Sequence, residues 1–284
     1  SLIAANYASS LDLSSMLSSA NLNNVTLQTD DAIVLGGFST AGTLNVIAGG
    51  NITQSGALVA AGGGSINAGT HNITLNNVNN DFGTQPLSLT GADVSLTNST
   101  ALALNASDIS GNLSLNLAHG MITVDTVSVD GTTSVTNTGT AGDIVSLSQG
   151  DFTGAVSVNS ANSAVSIIND KALVLGNVTS GGNLNLTAAG NISQGVGTSI
   201  SNSGNTTTAT VTSDGSSINL GNSGNNFGTV SATATGTNVK TGAVTFNDTN
   251  GITVGNFSNI NGAVSIKANE TSNGTASSNT GILT

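Results

Sequence analysis

Apolar and polar residues alternate in short runs along nearly the whole chain, as in Leu113-Ser-Leu115, Val156-Ser-Val158 and Leu184-Asn-Leu186. A period of two is the signature of strands with one face buried and the other in water. Gly, Asn or Asp closes each run within a few residues, and these residues accept the positive φ angles of tight corners. The pattern predicts strand, corner, strand, corner. No stretch holds a helical period, and the density of β-branched residues and glycine argues against helices as well.

The runs themselves recur. Leu35 to Gln54 aligns without gaps on Leu175 to Gln194, at a constant offset of 140 residues. A second pair, Ile73–Leu75 with Asn79–Thr84, returns as Ile218–Leu220 with Gly224–Thr229 at an offset of 145, so five residues are inserted between the two blocks. Weaker copies of the first block run from Leu102 to Leu115 and from Ile252 to Ile266. The superrepeat is therefore about 70 to 80 residues long, and tandem repeats of this kind build solenoids, propellers or arrays.

Composition selects among these. The 284 residues include 37 Gly, one Pro, no Trp and 2% aromatics, which leaves six Phe and Tyr7 as the large rings of the whole chain. A sandwich needs a broad two-sided core, whereas a solenoid needs only small aliphatics stacked rung on rung. An all-β fold follows, a β-solenoid of the parallel β-helix type. At about 20 residues per rung the chain makes roughly 14 rungs at the ~4.8 Å strand spacing, a rod of about 65 Å. Expected inward positions are Ile33, Leu35, Phe38, Leu44, Val46 and Ile52, with counterparts Leu173, Leu175, Val178, Leu184, Leu186 and Ile192. Corner residues such as Asn51 and Asn191 are expected to stack into hydrogen-bonded ladders. The whole of 1–284 reads as one β-helical segment cut from a longer chain, with irregular ends at 1–30 and 271–284.

Charge narrows the function. Three Lys and Arg against 14 Asp and Glu give a net charge of −11, and only 6% of residues are charged. Lys171, Lys240 and Lys267 cannot form the cationic cluster that nucleic acid requires. Disorder is excluded because 37% of the residues are hydrophobic. The absence of Cys removes disulfides, thiol catalysis and Cys-based zinc sites. No apolar run reaches the roughly 18 residues of a transmembrane helix.

Candidate chemistry is sparse. Asp30 and Asp31 are adjacent and would point to opposite faces of a strand. With Asp125, Asp130 and Asp143 they read as solvated surface groups. His71 and His119 sit in no metal-spaced motif, and no phosphate-binding Gly-rich motif ends in a lysine. An ice-binding solenoid would need Thr in a regular array on one flat face, and the threonines are scattered along the sequence. No catalytic, cofactor-binding or metal residue is assigned.

The phrases Gly182–Gln194, Asn80-Asp-Phe-Gly-Thr84 and Leu87–Leu96 resemble the repeats of filamentous haemagglutinin-like exoproteins, the large partners of bacterial two-partner secretion systems. The resemblance spans roughly Asp31 to Ala268. It implies a right-handed parallel β-helix exported through an outer-membrane pore and displayed as a fibre on a Gram-negative cell or released from it. The family's export domain carries Asn-Pro motifs, but the single proline here is Pro86, after Gln85. The resemblance therefore points to shaft and not to export signal, and no binding residue carries over.

The expected function is a structural shaft of an adhesin or biofilm-matrix fibre, not an enzyme and without a cofactor. Its expected partners are the secretion pore, extracellular glycans or cell surfaces, and further copies stacked end to end. The alternative is a carbohydrate-binding or polysaccharide-active β-helix, for which a cluster of aromatic and acid/base residues would be needed. Fourteen Asn-x-Ser/Thr triplets, among them Asn51, Asn72, Asn98, Asn112 and Asn191, are candidate glycosylation acceptors by the same resemblance.

Overall fold

In the strand Val25–Thr29, Val25, Leu27 and Thr29 are buried while Thr26 and Gln28 face outward. The same one-sided burial repeats in Leu44–Ala48, Val156–Ser160 and Leu184–Ala188. The alternation read from the sequence thus becomes an inner and an outer surface. The computed structural model describes residues 2–4, 11–12, 21–118, 122–270 and 277–283.

The chain winds as a parallel β-solenoid of about 12 turns, with no helix among the described residues. The first turns are three-sided. Val25–Thr29, Ile33–Leu35 and Phe38–Thr40 pair in parallel with Leu44–Ala48, Ile52–Gln54 and Leu58–Ala60 of the next turn. Later turns join two sides into one long bent strand, as in Leu102–Ile109, Ile122–Val129 and Ile144–Phe152. The bend falls on Ala106, Thr126 and Gln149, all at positive φ near 50° (47°, 50° and 51°). A non-glycine residue rarely adopts that conformation. Here neighbouring turns hold it: the Thr126 hydroxyl donates to Asn105 Oδ1 and accepts the Ala106 N–H.

Fewer turns form than the expected 14 because many exceed 20 residues. A corner-to-corner step takes 19 residues from Asn24 to Thr43 but 26 from Asn191 to Ser217. The extra residues lie in corners, such as the exposed turn at Val196 and Gly197. At ~4.8 Å per turn the rod is about 58 Å long.

All twelve expected inward residues are buried, none more than 5% exposed. They belong to one uninterrupted apolar cluster running from Val25 to Phe246. Each fully buried Val, Leu, Ile or Phe contributes about 1.5–3 kcal/mol by leaving water, and stacking gives every side chain the same kind of neighbour above and below. Where turns approach most closely, no side chain fits: a Cβ on Gly64, at φ +137°, would lie 2.0 Å from the Leu44 carbonyl oxygen.

Structure extends into both segments that the alternation leaves irregular. Val25–Thr29 already belongs to the solenoid, and Ser277–Leu283 pairs antiparallel with Val264–Glu270. The second pairing rests on backbone hydrogen bonds, which a segment as polar as Ser277-Ser-Asn-Thr-Gly281 does not advertise in its sequence.

Candidate functional surface

Three sets of polar residues are built onto this frame. The first runs along corners. Asn51 Oδ1 accepts the Asn72 N–H at 3.0 Å, Asn72 Oδ1 accepts that of Asp93 at 3.1 Å, and Asp93 Oδ1 accepts that of Asn112 at 2.8 Å. Asn112 Oδ1 then accepts the Thr132 N–H at 2.8 Å, and Asn191 does the same for Ser217 at 2.8 Å. The expected ladders at Asn51 and Asn191 are therefore present, but the bonds run from backbone N–H to side-chain oxygen, not from amide to amide.

The second set lies inside. Asn80, fully buried, accepts the Leu58 N–H at 2.9 Å and exchanges both amide hydrogen bonds with Gln54, at 2.8 and 2.9 Å. Its Nδ2 also donates to the carbonyls of Leu75 and Thr97. Asn225 repeats this with Gln194, Ile200 and Leu220. Beside each stands a buried Phe whose N–H is capped from the following turn: Phe82 by Asn98 and Phe227 by Asp248. A further copy joins Phe152 to Asn169. Sequence reasoning missed these pairs, although Gln54 and Gln194 close the first repeated block and Asn80 and Asn225 lie in the second. The separation of Gln from Asn, 26 residues in one copy and 31 in the other, hides the partnership until the turns are stacked.

The third set faces outward. On one side Thr53, Thr74, Ser95, Ser114, Ser134 and Ser157 occupy one register column over successive turns. A parallel column holds Asn116, Thr136 and Asn159, continuing to Thr179. Between them a shallow trough of about 270 Å³ is lined by Ser134, Thr136, Ser157, Asn159, Asn177 and Thr179. A second trough, of about 280 Å³, lies over Thr53, Ser55, Thr74 and Asn76. Both are lined by uncharged hydroxyl and amide groups, with no carboxylate and no aromatic ring.

The residues singled out for chemistry do not converge. Asp30 and Asp130 are exposed; Asp31 and Asp143 are half-buried on different turns. Asp125 is half-buried, and its Oδ1 makes no hydrogen bond. His71 is exposed, with Nδ1 3.3 Å from the Ala68 carbonyl oxygen. His119 lies outside the described residues. No group of three or more His, Asp or Glu that could hold a metal occurs among the described residues. Lys171 pairs with Asp151 at 2.7 Å on the open surface. Of the Asn-x-Ser/Thr triplets, Asn51, Asn72, Asn112 and Asn191 are exposed at corners. Asn98 is fully buried, with Nδ2 bonded to the Thr100 and Ala101 carbonyls, so the folded chain offers no access to it.

The scattered threonines are also rearranged by folding. Thr206 aligns with Thr229, Thr208 with Ser231 and Thr210 with Thr233 on two consecutive turns. Folding thus aligns six hydroxyl-bearing positions that the linear sequence scatters.

One-sided strands, stacked turns and recurring buried amides define a β-solenoid repeat protein. Within that class the chain belongs to the family described as "Repeats of unknown function (DUF5649)", whose model matches residues 22–88, 91–159 and 162–234. Each match contains one of the capped phenylalanines Phe82, Phe152 and Phe227. No curated protein and no solved structure matches the chain.

Proposed function

We propose that this chain is a structural shaft segment of a secreted bacterial surface adhesin or biofilm-matrix fibre. The observation that carries the reading is the single apolar core: it runs through all three family repeats, and parallel pairing continues across both junctions with a local register shift beside each. A repeat unit that contacts only its neighbours is suited to setting length and holding other modules away from a surface. On this reading, which the filamentous haemagglutinin-like phrases support, the parent protein stands at the surface of a Gram-negative cell. An outer-membrane pore is its export partner, and glycans or cell surfaces are what the whole fibre meets. The chain performs no catalysis and uses no cofactor.

A second reading, a carbohydrate-binding solenoid, is favoured by the trough over Ser134, Ser157 and Asn159, whose neutral hydrogen-bonding groups match those of a glycan. One experiment separates the two. Labelled chain is titrated against extracellular polysaccharides and against epithelial and bacterial cells, with a charge-matched β-solenoid as control. Absence of saturable binding supports the shaft. Saturable binding that Ser157→Lys abolishes overturns it in favour of the trough. Release of reducing ends from a polysaccharide, lost in a single Asp→Ala variant, would make the chain an enzyme.

A further inference from the structure

The strands Ile200–Val211 and Asn226–Ala234 place Thr206, Thr208 and Thr210 directly beside Thr229, Ser231 and Thr233. The preceding turn adds Asn185 beside Thr208 and Thr187 beside Thr210. The following turn adds Thr253 beside Thr229 and Ser258 beside Thr233, with a bulge at Gly255 and Asn256 between them. Along each strand outward positions recur every ~6.7 Å, and across turns every ~4.8 Å. The result is a two-dimensional grid of hydroxyls. Its inward neighbours Ala209, Val211, Val230 and Ala232 are fully buried, so alternation forces the hydroxyl-bearing side chains to the outside.

Three properties limit what can bind there. The grid holds no charged residue, which removes an ionic partner. It holds no aromatic ring, which removes stacking on sugars. The hydroxyls of Thr206, Thr208, Thr210 and Thr229 make no hydrogen bond within the protein, while Ser231 Oγ accepts the Asn256 N–H at 3.1 Å and Thr233 meets Ser258 at 2.7 Å. A hydroxyl bond exchanged against liquid water gains only about 0.5–1.5 kcal/mol net. A useful ligand must therefore engage many positions at once, at the grid's own repeat. β-Branching restricts χ1 of threonine, so the hydroxyls and methyls are held in place before any ligand arrives.

We infer that the face carrying Thr206, Thr208, Thr210, Thr229, Ser231 and Thr233 binds ice, whose surface offers rows of water oxygens repeating in two dimensions on the same scale. Each threonine supplies a hydroxyl that joins the ordered water layer and a methyl that sits between its molecules. The inference is independent of the shaft reading and gives one face of the rod a ligand of its own.

The test uses the full chain, fluorescently labelled, in three arms: incorporation into a growing ice hemisphere, inhibition of ice recrystallisation, and retention on crystalline chitin and cellulose. Thr208→Lys breaks the grid at its centre, and Asn79→Lys puts the same charge on an exposed corner several turns away. Matching melting curves establish that both variants are folded. The expected result is incorporation of the parent chain into ice. Thr208→Lys should raise the concentration needed to stop recrystallisation at least about tenfold, equivalent to about 1.4 kcal/mol, with Asn79→Lys unchanged. Exclusion of the parent chain from ice overturns the inference, as does equal loss in both variants. Retention on a crystalline polysaccharide without ice incorporation also overturns it and reassigns the grid to that polymer.

Discussion

Replacing Asn80 by Ala removes more structure than any surface feature of this protein would suggest. The substitution deletes the acceptor of the buried Leu58 N–H, both halves of the amide exchange with Gln54, and donors to the Leu75 and Thr97 carbonyls. A buried donor left without a partner costs about 1–3 kcal/mol, and the under-satisfied carbonyls and the small cavity add to it. The expected loss is about 3–5 kcal/mol, at the upper end of single substitutions. Repeat arrays need not unfold in one step, so the local opening free energy is the proper readout. Hydrogen exchange followed by mass spectrometry, on the peptide containing Leu58, should accelerate by about a hundredfold or more for a loss of 3 kcal/mol. Asn225→Ala should act in the same direction at Ile200, because it loses the same bonds apart from the one to Thr97. Asn79→Ala, next door but exposed, should stay within about 0.5 kcal/mol of the parent. An Asn80→Ala effect no larger than that of Asn79→Ala would refute the role given to the buried amides.

The remaining expectations concern packing, corners and surface charge. Phe152→Ala should cost about 3–5 kcal/mol by opening a cavity in the stack, read as lost exchange protection in the turns on either side. Gly64→Ala should destabilise far more than Gly69→Ala. The first Cβ meets the Leu44 carbonyl at 2.0 Å; the second meets nothing within 4 Å and carries only the cost of φ +57°, about 1–2 kcal/mol. Denaturant midpoints of the two variants would rank them. Lys171→Ala, which removes a solvent-facing ion pair, should change stability by under about 1 kcal/mol, read from the melting curve at low salt.

The inner surface was legible in the sequence because alternation translates directly into burial. Leu44, Val46, Leu184 and Leu186 point inward for the same reason that Asn45 and Asn185 do not. The corner ladder was legible in part, since Asn51 and Asn191 recur at one offset, but the direction of their hydrogen bonds depends on which backbone N–H the next turn delivers. What stayed hidden depends on turn length. Gln54 meets Asn80 and Thr208 meets Ser231 only after turns of unequal length have been wound, and no fixed period in the sequence encodes either meeting. The array of threonines looked scattered for that reason. The expected 14 turns exceed the observed 12 or so for a related one, because corner insertions lengthen the turn without interrupting the strands.

Repeats at a fixed offset become a stiff rod whose length is set by its number of turns. Thr53 and Ser193 are equivalent positions of the two copies, and register partners place them seven turns apart on the same side. The chain has no cysteine, so Thr53→Cys with Ser193→Cys accepts two spin labels without interference. Pulsed electron–electron distance measurement should give one narrow distribution centred near 34 Å, seven steps of ~4.8 Å. A broad distribution, or one centred far from that value, would mean that the turns do not stack into a single stiff rod.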